Sequence, residues 1–244
     1  MYDVSISVIV PTLNEAENLP HVLPLIPKDV HEVILVDGRS TDNTVEVARN
    51  LRPDIRIVYE TRHGKGAALR AGFAAATGDI IVMIDADGST DPREIPAFIG
   101  ALRAGADFAK GSRFLQGGGT SDMSLLRRWG NWGLTMLVRL LFGGQYTDLC
   151  YGYNAFWRRI LPQLRLDGDG FEIETMMNIR VLRANMKIVE VPSFESDRVH
   201  GIGRLRTFPD GWRVLKTILR ERFQPPKLAI SPVTRTHTTD TELG

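Results

Sequence analysis

Residues 80–91 read Ile-Ile-Val-Met-Ile-Asp85-Ala-Asp87-Gly-Ser-Thr-Asp91, an apolar, β-branched run that ends in three carboxylates around one glycine. Such a run predicts a buried strand carrying acid groups to the edge of a sheet. Side chains at i and i+2 of an extended chain point the same way, so Asp85 and Asp87 can face one ligand. Two adjacent carboxylates repel each other unless a cation joins them. A divalent ion gripping a diphosphate fits, because Mg²⁺ and Mn²⁺ take oxygen ligands and leave most of their shell to phosphate and water. Asp85 and Asp87 are therefore the expected metal ligands, open to an ion rather than tied up by internal arginines. The competing reading is a plain strand-to-helix turn, with Ser89, Thr90 or Asp91 as a cap before Pro92; a cap has no need of Asp85.

The elements that must position these acids follow from the hydrophobic pattern. Ile6–Val10 reads as a strand closed by Pro11, and a helical pattern runs from Ala16 to Leu25. Glu32–Val36 is a second strand ending in Asp37, followed by turn residues and a helix through Val45, Ala48 and Leu51. Ile55–Tyr59 is a third strand, and Gly64-Lys65-Gly66 opens a helix over Ala67–Ala76 before the strand that leads to Asp85. Strands separated by single helices imply right-handed crossovers and a mainly parallel sheet. Ligands of such a sheet sit beyond the carboxyl ends of its strands, where Pro11-Thr12, Asp37 and Asp85-Ala86-Asp87 all arrive. No Gly-x-Gly-x-x-Gly follows the first strand and no P-loop occurs, which argues against a dinucleotide fold and a P-loop nucleotidase. Lys65 reads either as a solvated loop lysine or as a phosphate donor at a helix N-terminus.

Composition narrows the class further. With 244 residues, 43% hydrophobic content and a net charge of +1, the chain can bury one large α/β core or two modest domains. The near-zero charge and the absence of nucleic-acid-reading motifs argue against a nucleic-acid partner. Cys150 is the single cysteine, so no internal disulfide forms and a reducing, cytoplasmic compartment is expected. No leader pattern opens the sequence and no apolar stretch approaches the roughly 20 residues of a membrane span, so membrane contact is expected to be peripheral.

Five motifs in order carry a family resemblance: Pro11-Thr12-Leu13-Asn14-Glu15, Val36-Asp37 with Ser40-Thr41-Asp42, Gly64-Lys65-Gly66, Asp85-Ala86-Asp87 and Gly111-Ser112-Arg113-Phe114. Together they resemble family 2 glycosyltransferases, most closely the branch of dolichyl- and polyprenyl-phosphate mannose synthases, over roughly residues 5–205. The resemblance implies a GT-A fold over 1–224, with 1–110 as the nucleotide-binding half and 111–224 as the acceptor half, while the Thr-, Ser- and Pro-rich, aromatic-free composition of 225–244 reads as a disordered tail. It implies that Pro11, Thr12, Glu15 and Asp37 hold the nucleoside, and that Asp85, Ala86 and Asp87 hold the nucleotide with Mg²⁺ or Mn²⁺. Where the family often has Asp-Asp-Gly-Ser, this chain has Asp37-Gly38-Arg39-Ser40, losing an acid and gaining an arginine.

In the second half, Leu125, Trp129, Trp132, Met136, Leu137, Leu140 and Leu141 recur at helical spacing opposite Arg128, Asn131, Thr135 and Arg139. This amphipathic helix can pack on the core or lie at a lipid interface with its tryptophans at the boundary; the resemblance favours the interface. Gly130 and Gly133 each cost it up to about 1 kcal/mol relative to alanine, so something besides propensity must order it. Arg113 and Arg128 match arginines that contact the acceptor phosphate in that branch, and a guanidinium fork suits a phosphate. Asp148 and Asn154 fall in the family's next acceptor-side segment, which usually has an arginine where Asn154 stands; Arg158 or Arg159 is the expected compensation. Phe171-Glu172-Ile173-Glu174 resembles the family's Phe-Glu-x-Glu and opens a helix to Ala184. Helix N-terminal carboxylates are also favoured by the macrodipole alone.

Arg198-Val-His200-Gly201-Ile-Gly203-Arg204-Leu205 resembles a basic loop able to close over the diphosphate, giving Arg198 and Arg204 with Lys65 to the donor. Trp212, Val214, Leu215, Ile218 and Leu219 alternate with basic residues in a second amphipathic helix. The expected activity is inverting transfer of a hexose from a nucleoside-diphosphate sugar, UDP-glucose or GDP-mannose type, to a polyprenyl phosphate at the cytoplasmic membrane face. Asp87, Arg113 and Glu174 form its expected catalytic set. Transfer to a sugar hydroxyl, with Glu172 or Glu174 as general base, is the main rival. A non-catalytic nucleotide-sugar-binding protein and a nucleotidyltransferase are the readings from other classes, the latter lacking its Gly-rich basic signature after the first strand.

Overall fold

The computed structural model describes residues 4–223, and the 225–244 segment read as a tail lies outside them. The chain runs through β1 (Ile6–Thr12), a single helical turn α1 (Leu19–Val22), β2 (Glu32–Asp37), α2 (Thr44–Leu51), β3 (Arg56–Tyr59), α3 (Lys65–Ala75) and β4 (Ile80–Met83). It continues through α4 (Ile95–Arg103), β5 (Phe108–Ser112), β6 (Gly119–Thr120), α5 (Leu125–Phe142), β7 (Asn154–Trp157) and α6 (Leu161–Leu164). The last elements are α7 (Glu172–Arg183), β8 (Ile188–Pro192), β9 (Phe194–Glu195) and α8 (Thr207–Phe223).

Seven strands pair in the order β3-β2-β1-β4-β7-β5-β8, all parallel except β7, which runs antiparallel between β4 and β5. Strands β1, β2 and β4 are buried on both faces, as their unbroken apolar runs require. Alternate residues feed two layers. Val8, Val10, Val33, Leu35 and Val82 meet Leu19, Phe98, Ile99 and Leu102 on one side. Ile9, Ile34, Val36, Ile81 and Met83 meet Leu69 and Phe73 of α3 and Ile173 and Met177 of α7 on the other. Each such buried side chain contributes about 1.5–3 kcal/mol relative to exposure.

Two expectations need correction. The helix expected over Ala16–Leu25 is one α-turn followed by a 3₁₀ turn at Leu23–Leu25, because Pro20 and Pro24 interrupt backbone hydrogen bonding. The strand before the acids stops at Met83, with one further bond from the Ile84 amide to the Ile9 carbonyl (3.1 Å), so Asp85 and Asp87 sit on a turn beyond the sheet. A third apolar cluster, Val138, Tyr146, Leu149, Ile179, Val214 and Ile218, forms where α5, α7 and α8 converge. Among the described residues no helix is long and apolar enough to cross a membrane.

Candidate active site

The carboxyl ends of β1, β2 and β4 meet at one edge, since Thr12 pairs in register with Asp37 and Ile9 with Met83. Thr12 is buried and donates to the Val36 carbonyl (3.1 Å), while the Asp37 carboxylate accepts from the Ser40 amide. Arg39 stands in the left-handed region, φ 72°, at the place of the family's glycine, and its guanidinium contacts the exposed His63 ring at 2.7 Å.

Beyond β4 the acids are joined to basic side chains. Lys65, first residue of α3, places its Nζ 2.5 Å from Asp85 and 2.7 Å from Glu174 of α7. Asp87 accepts from the Ser89 amide and hydroxyl and lies 3.2 Å from the Arg198 guanidinium, which also pairs with Glu15. The acids are thus not open, contrary to expectation: a lysine and an arginine stand against them. Glu15 accepts in addition from Asn18 (2.6 Å), and Asn18 exchanges hydrogen bonds with the backbone of His200 (2.8 and 3.2 Å). Arg204 donates to the Leu13 carbonyl (2.7 Å), and the Val199 and Ser196 amides donate to the Asp87 and Ser89 carbonyls. The basic loop is therefore laid across the acid turn. Gly88 permits this approach: at φ +80°, a Cβ there would come 2.6 Å from Val199.

Charge decides whether a divalent ion fits. Four carboxylates, of Glu15, Asp85, Asp87 and Glu174, face two cations, Lys65 and Arg198, leaving two negative charges unbalanced. Burial, with Asp87 and Glu174 nearby, pushes the Asp85 carboxyl up to about 6 despite Lys65, because that ammonium is shared with Glu174. Asp85 and Glu174 together hold Lys65 charged well above the usual lysine range, against the cost of its burial. A divalent cation between Asp85 and Asp87 would neutralise the excess, and two carboxylates are the protein share that Mg²⁺ commonly takes.

The Glycosyl transferase family 2 profile matches residues 7–165. This chain belongs to that family. It is 34% identical over 198 residues to an undecaprenyl-phosphate mannosyltransferase of Micrococcus luteus, covering 75% of this chain and 80% of the relative. Over 210 residues it is 31% identical to a dolichol-phosphate mannosyltransferase of Pyrococcus furiosus, covering 82% of this chain but 59% of the relative's length. Among solved structures, glucosyl-3-phosphoglycerate synthase from Mycobacterium tuberculosis in complex with Mg²⁺ and UDP superposes with TM-score 0.72 at 25% identity, covering 92% of this chain and 82% of that one. The mixed sheet flanked by helices is the GT-A architecture of this structural neighbour.

In the second half of this family 2 chain, the residues expected to meet a phosphate divide. Arg113 has only 2% of its side chain exposed; it is bound by Asp148 through two nitrogens (2.7 and 2.8 Å) and by Glu195 (2.9 Å), over the Tyr151 ring. Burial works against its charge, but Asp148 and Glu195 more than restore it, and Arg113 in turn holds the Asp148 carboxyl below its ordinary value although burial opposes this. Asp148 and Asn154 are buried, with no face open to a ligand. Arg128 is exposed and stacks over Phe114. Arg158 and Arg159 do not compensate for Asn154: Arg158 donates to the Gly78 carbonyl and Arg159 lies over Trp157, past the far end of β7.

Helix α5 leaves much of its apolar surface exposed. Its buried residues are Asn131, Thr135 and Val138, while Trp129 is 67% and Leu140 82% exposed, beside exposed Leu125, Leu126 and Trp132. Helix α8 behaves alike, burying Asp210, Thr217 and Glu221 around Val214 and Ile218 and presenting Phe208 (76%), Trp212 and Phe223. The polar stripe of α5 divides: Asn131 and Thr135 turn inward beside Val138, with Leu134, Leu137, Leu141 and Phe142 packed against the same cluster, whereas Arg128 and Arg139 are exposed. Its inward Asn131 accepts from the Cys150 amide (3.0 Å).

Sequence reading missed the residues that support the crossing at 147–153, which joins no helix or strand. Glu190 takes the Thr147 amide, Asn178 reaches the Leu149 carbonyl, Lys110 the Tyr151 carbonyl and Asn154 the Gly152 carbonyl. A polar residue interrupting an apolar strand or helix was the available signal, at Lys110 in Phe-Ala-Lys-Gly-Ser and at Asn178 in α7.

Proposed function

We propose that this chain transfers a hexose, with inversion, from a nucleoside-diphosphate sugar to a polyprenyl phosphate while docked on the cytoplasmic face of a membrane. The observation that carries this reading is the outer face of α5 and α8, where Leu125, Trp129, Trp132, Leu140, Phe208 and Trp212 stand exposed although Val138, Val214 and Ile218 of the same helices pack inward. Burying such faces in water would favour the opposite orientation; a lipid boundary favours this one. Arg127, Arg128 and Arg139 on α5 and Arg213 and Lys216 on α8 are placed among these apolar residues, suited to lipid phosphates. The mannosyltransferase relatives, named for dolichol phosphate and undecaprenyl phosphate, support the acceptor class. Donors of the UDP-glucose and GDP-mannose types both fit the reading.

In this scheme Pro11, Thr12, Glu15 and Asp37 line the nucleoside's place, and Lys65, Arg198 and Arg204 are the cations for the diphosphate. Asp85 and Asp87 would hold Mg²⁺ or Mn²⁺, which when bound screens the negative charge of the diphosphate. Arg128 is the exposed guanidinium for the acceptor phosphate, and Arg113 fixes the walls behind it through Asp148 and Glu195. A phosphate oxygen attacks the anomeric carbon while the bond to the nucleoside diphosphate breaks and its electron pair leaves with that group. No proton needs removing, because a phosphate monoester is already ionised near neutral pH. Glu174, tied to Lys65, therefore has no base to be and serves to place that lysine. This geometry disfavours a hydroxyl acceptor.

The test is incubation of purified protein with radiolabelled UDP-glucose or GDP-mannose, Mn²⁺, and polyprenyl phosphate in vesicles, with 3-phosphoglycerate as a parallel acceptor. Labelled lipid from either donor is the expected result. Label on phosphoglycerate alone, or on neither acceptor, overturns the lipid assignment.

A further inference from the structure

Lys110 is fully buried in β5, and its ammonium has two partners, the carbonyls of Gly111 (3.0 Å) and Tyr151 (2.8 Å). Burial pushes it below the ordinary lysine range, partly offset by Asp148, Glu190 and Glu174. A buried charge held at such a cost calls for a function or a compensation. Register supplies both. Lys110 lies directly opposite Asn154 across the antiparallel β5–β7 pair, and Asn154 opposite Met83, while Lys110 pairs in turn with Glu190. Opposed residues share a face, so Met83, Asn154, Lys110 and Glu190 form one row across four strands. Asn154, at the position where the family's segment usually has arginine, leaves its buried Oδ1 without a hydrogen-bond partner. The row thus holds one cation, Lys110, directly opposite a residue that carries none.

The row bears on the candidate site through the crossing at 147–153. Lys110 fixes the Tyr151 carbonyl and Asn154 the Gly152 carbonyl. Gly152 is packed against the acid–cation cluster so closely that a Cβ would lie 2.6 Å from Glu174, 2.8 Å from Lys65 and 3.2 Å from Asp85. We infer that this interior seats one cation, at 110 or at 154 but not at both, and that Lys110 is the positioning residue that holds Tyr151–Gly152 as the wall of the Lys65–Asp85–Glu174 cluster. The catalytic part of the inference rests on the transferase reading above; the seating of one cation does not.

The experiment is a double-substitution cycle over Lys110→Met and Asn154→Arg in the full chain, read by melting temperature and by transfer kinetics. Lys110→Met is expected to lower kcat by about 10- to 100-fold, the scale of a small displacement at a reacting centre, with donor KM within about 2-fold of the parent. Asn154→Arg alone is expected to lower the melting temperature, because two cations then share a buried seat. In the double variant the arginine is expected to restore both melting temperature and most of kcat. Additive melting effects overturn the single seat whether or not the parent transfers sugar. Full kcat in Lys110→Met, with a parent that is active, overturns the positioning role. An inactive parent with a coupled melting cycle overturns the transferase reading and leaves the single seat standing.

Discussion

The two halves of the molecule are held together by different chemistry. From β1 to β4, apolar strands are covered on both faces by apolar helices, and polar groups gather at the strand ends, Ser7, Glu32 and Thr77 at the amino edge and Thr12 and Asp37 at the carboxyl edge. From β5 to α8 the interior is threaded with Lys110, Arg113, Asn131, Asp148, Asn154, Asn178, Arg180 and Glu221, all buried. Large apolar side chains there face outward on α5 and α8. The first half is stabilised by surface removed from water. The second half gives up part of that gain to keep an apolar exterior, and replaces it with hydrogen bonds and ion pairs that demand fixed geometry.

The contrast can be broken most severely at the ion pairs. Glu221, fully buried on α8, accepts from Arg180 of α7 (2.6 and 3.1 Å) and from Arg183 (3.4 Å). Glu221→Leu takes the buried carboxylate from Arg180, which keeps Asp167 and the Leu164 and Arg165 carbonyls, so a loss of about 3 kcal/mol, the low end for a broken buried pair, is expected in denaturant unfolding. Next in size is Asp87→Asn, which removes charge from the proposed metal seat. Transfer is expected to fall by about 10²- to 10³-fold, and the rise in melting temperature with Mn²⁺ and nucleotide to vanish. Glu174→Gln separates the two acceptor readings: under 10-fold loss toward polyprenyl phosphate is expected, where a general base would cost about 10²–10⁴.

Smaller effects sharpen the same contrast. Trp132→Ser should weaken binding to anionic vesicles by roughly 10-fold, about 1.4 kcal/mol and below the burial of one large apolar side chain. Its melting temperature in solution should hold or rise, which a core tryptophan would not allow. Glu32 in the first half offers a pH handle. Burial pushes its carboxyl up, but hydrogen bonds from Ser7 and Thr77 and the charge of Arg56 prevail and bring it down to about 2. A carboxyl depressed in the folded state stabilises above its unfolded value, near 4.3, and that contribution is lost as pH falls toward 2. Glu32→Gln should therefore flatten the acid limb of the stability curve, by about 1 kcal/mol after allowance for its partial exposure.

What the sequence made legible follows the same division. Strands such as Ile6–Val10 and Glu32–Val36 announce themselves because a doubly covered strand has no polar face, and the order of acid-bearing strand ends then locates the site. Helix α5 was legible in extent, Leu125–Phe142, but not in orientation. Periodicity shows that a helix has two faces; which one turns inward depends on whether the surrounding medium is water or lipid. Arg113, Asp148 and Asn154 look like ligand residues by type, yet they lie buried among partners far away in sequence. Nor does spacing reveal that Lys65 and Arg198 already stand against Asp85 and Asp87, since the four come from separate segments.

The antiparallel β7 has a consequence for how the chain is made. On the ribosome, β5 emerges well before its neighbour, with residues 113–153 still to be synthesised before Asn154–Trp157 can slot between it and β4. Until then Ile80–Met83 present an unpaired apolar edge, a surface open to wrong pairing with other nascent chains. Translation that halts short of Trp157 leaves a sheet that cannot zip shut, and such fragments are expected to need chaperone shelter rather than to persist as a free N-terminal lobe.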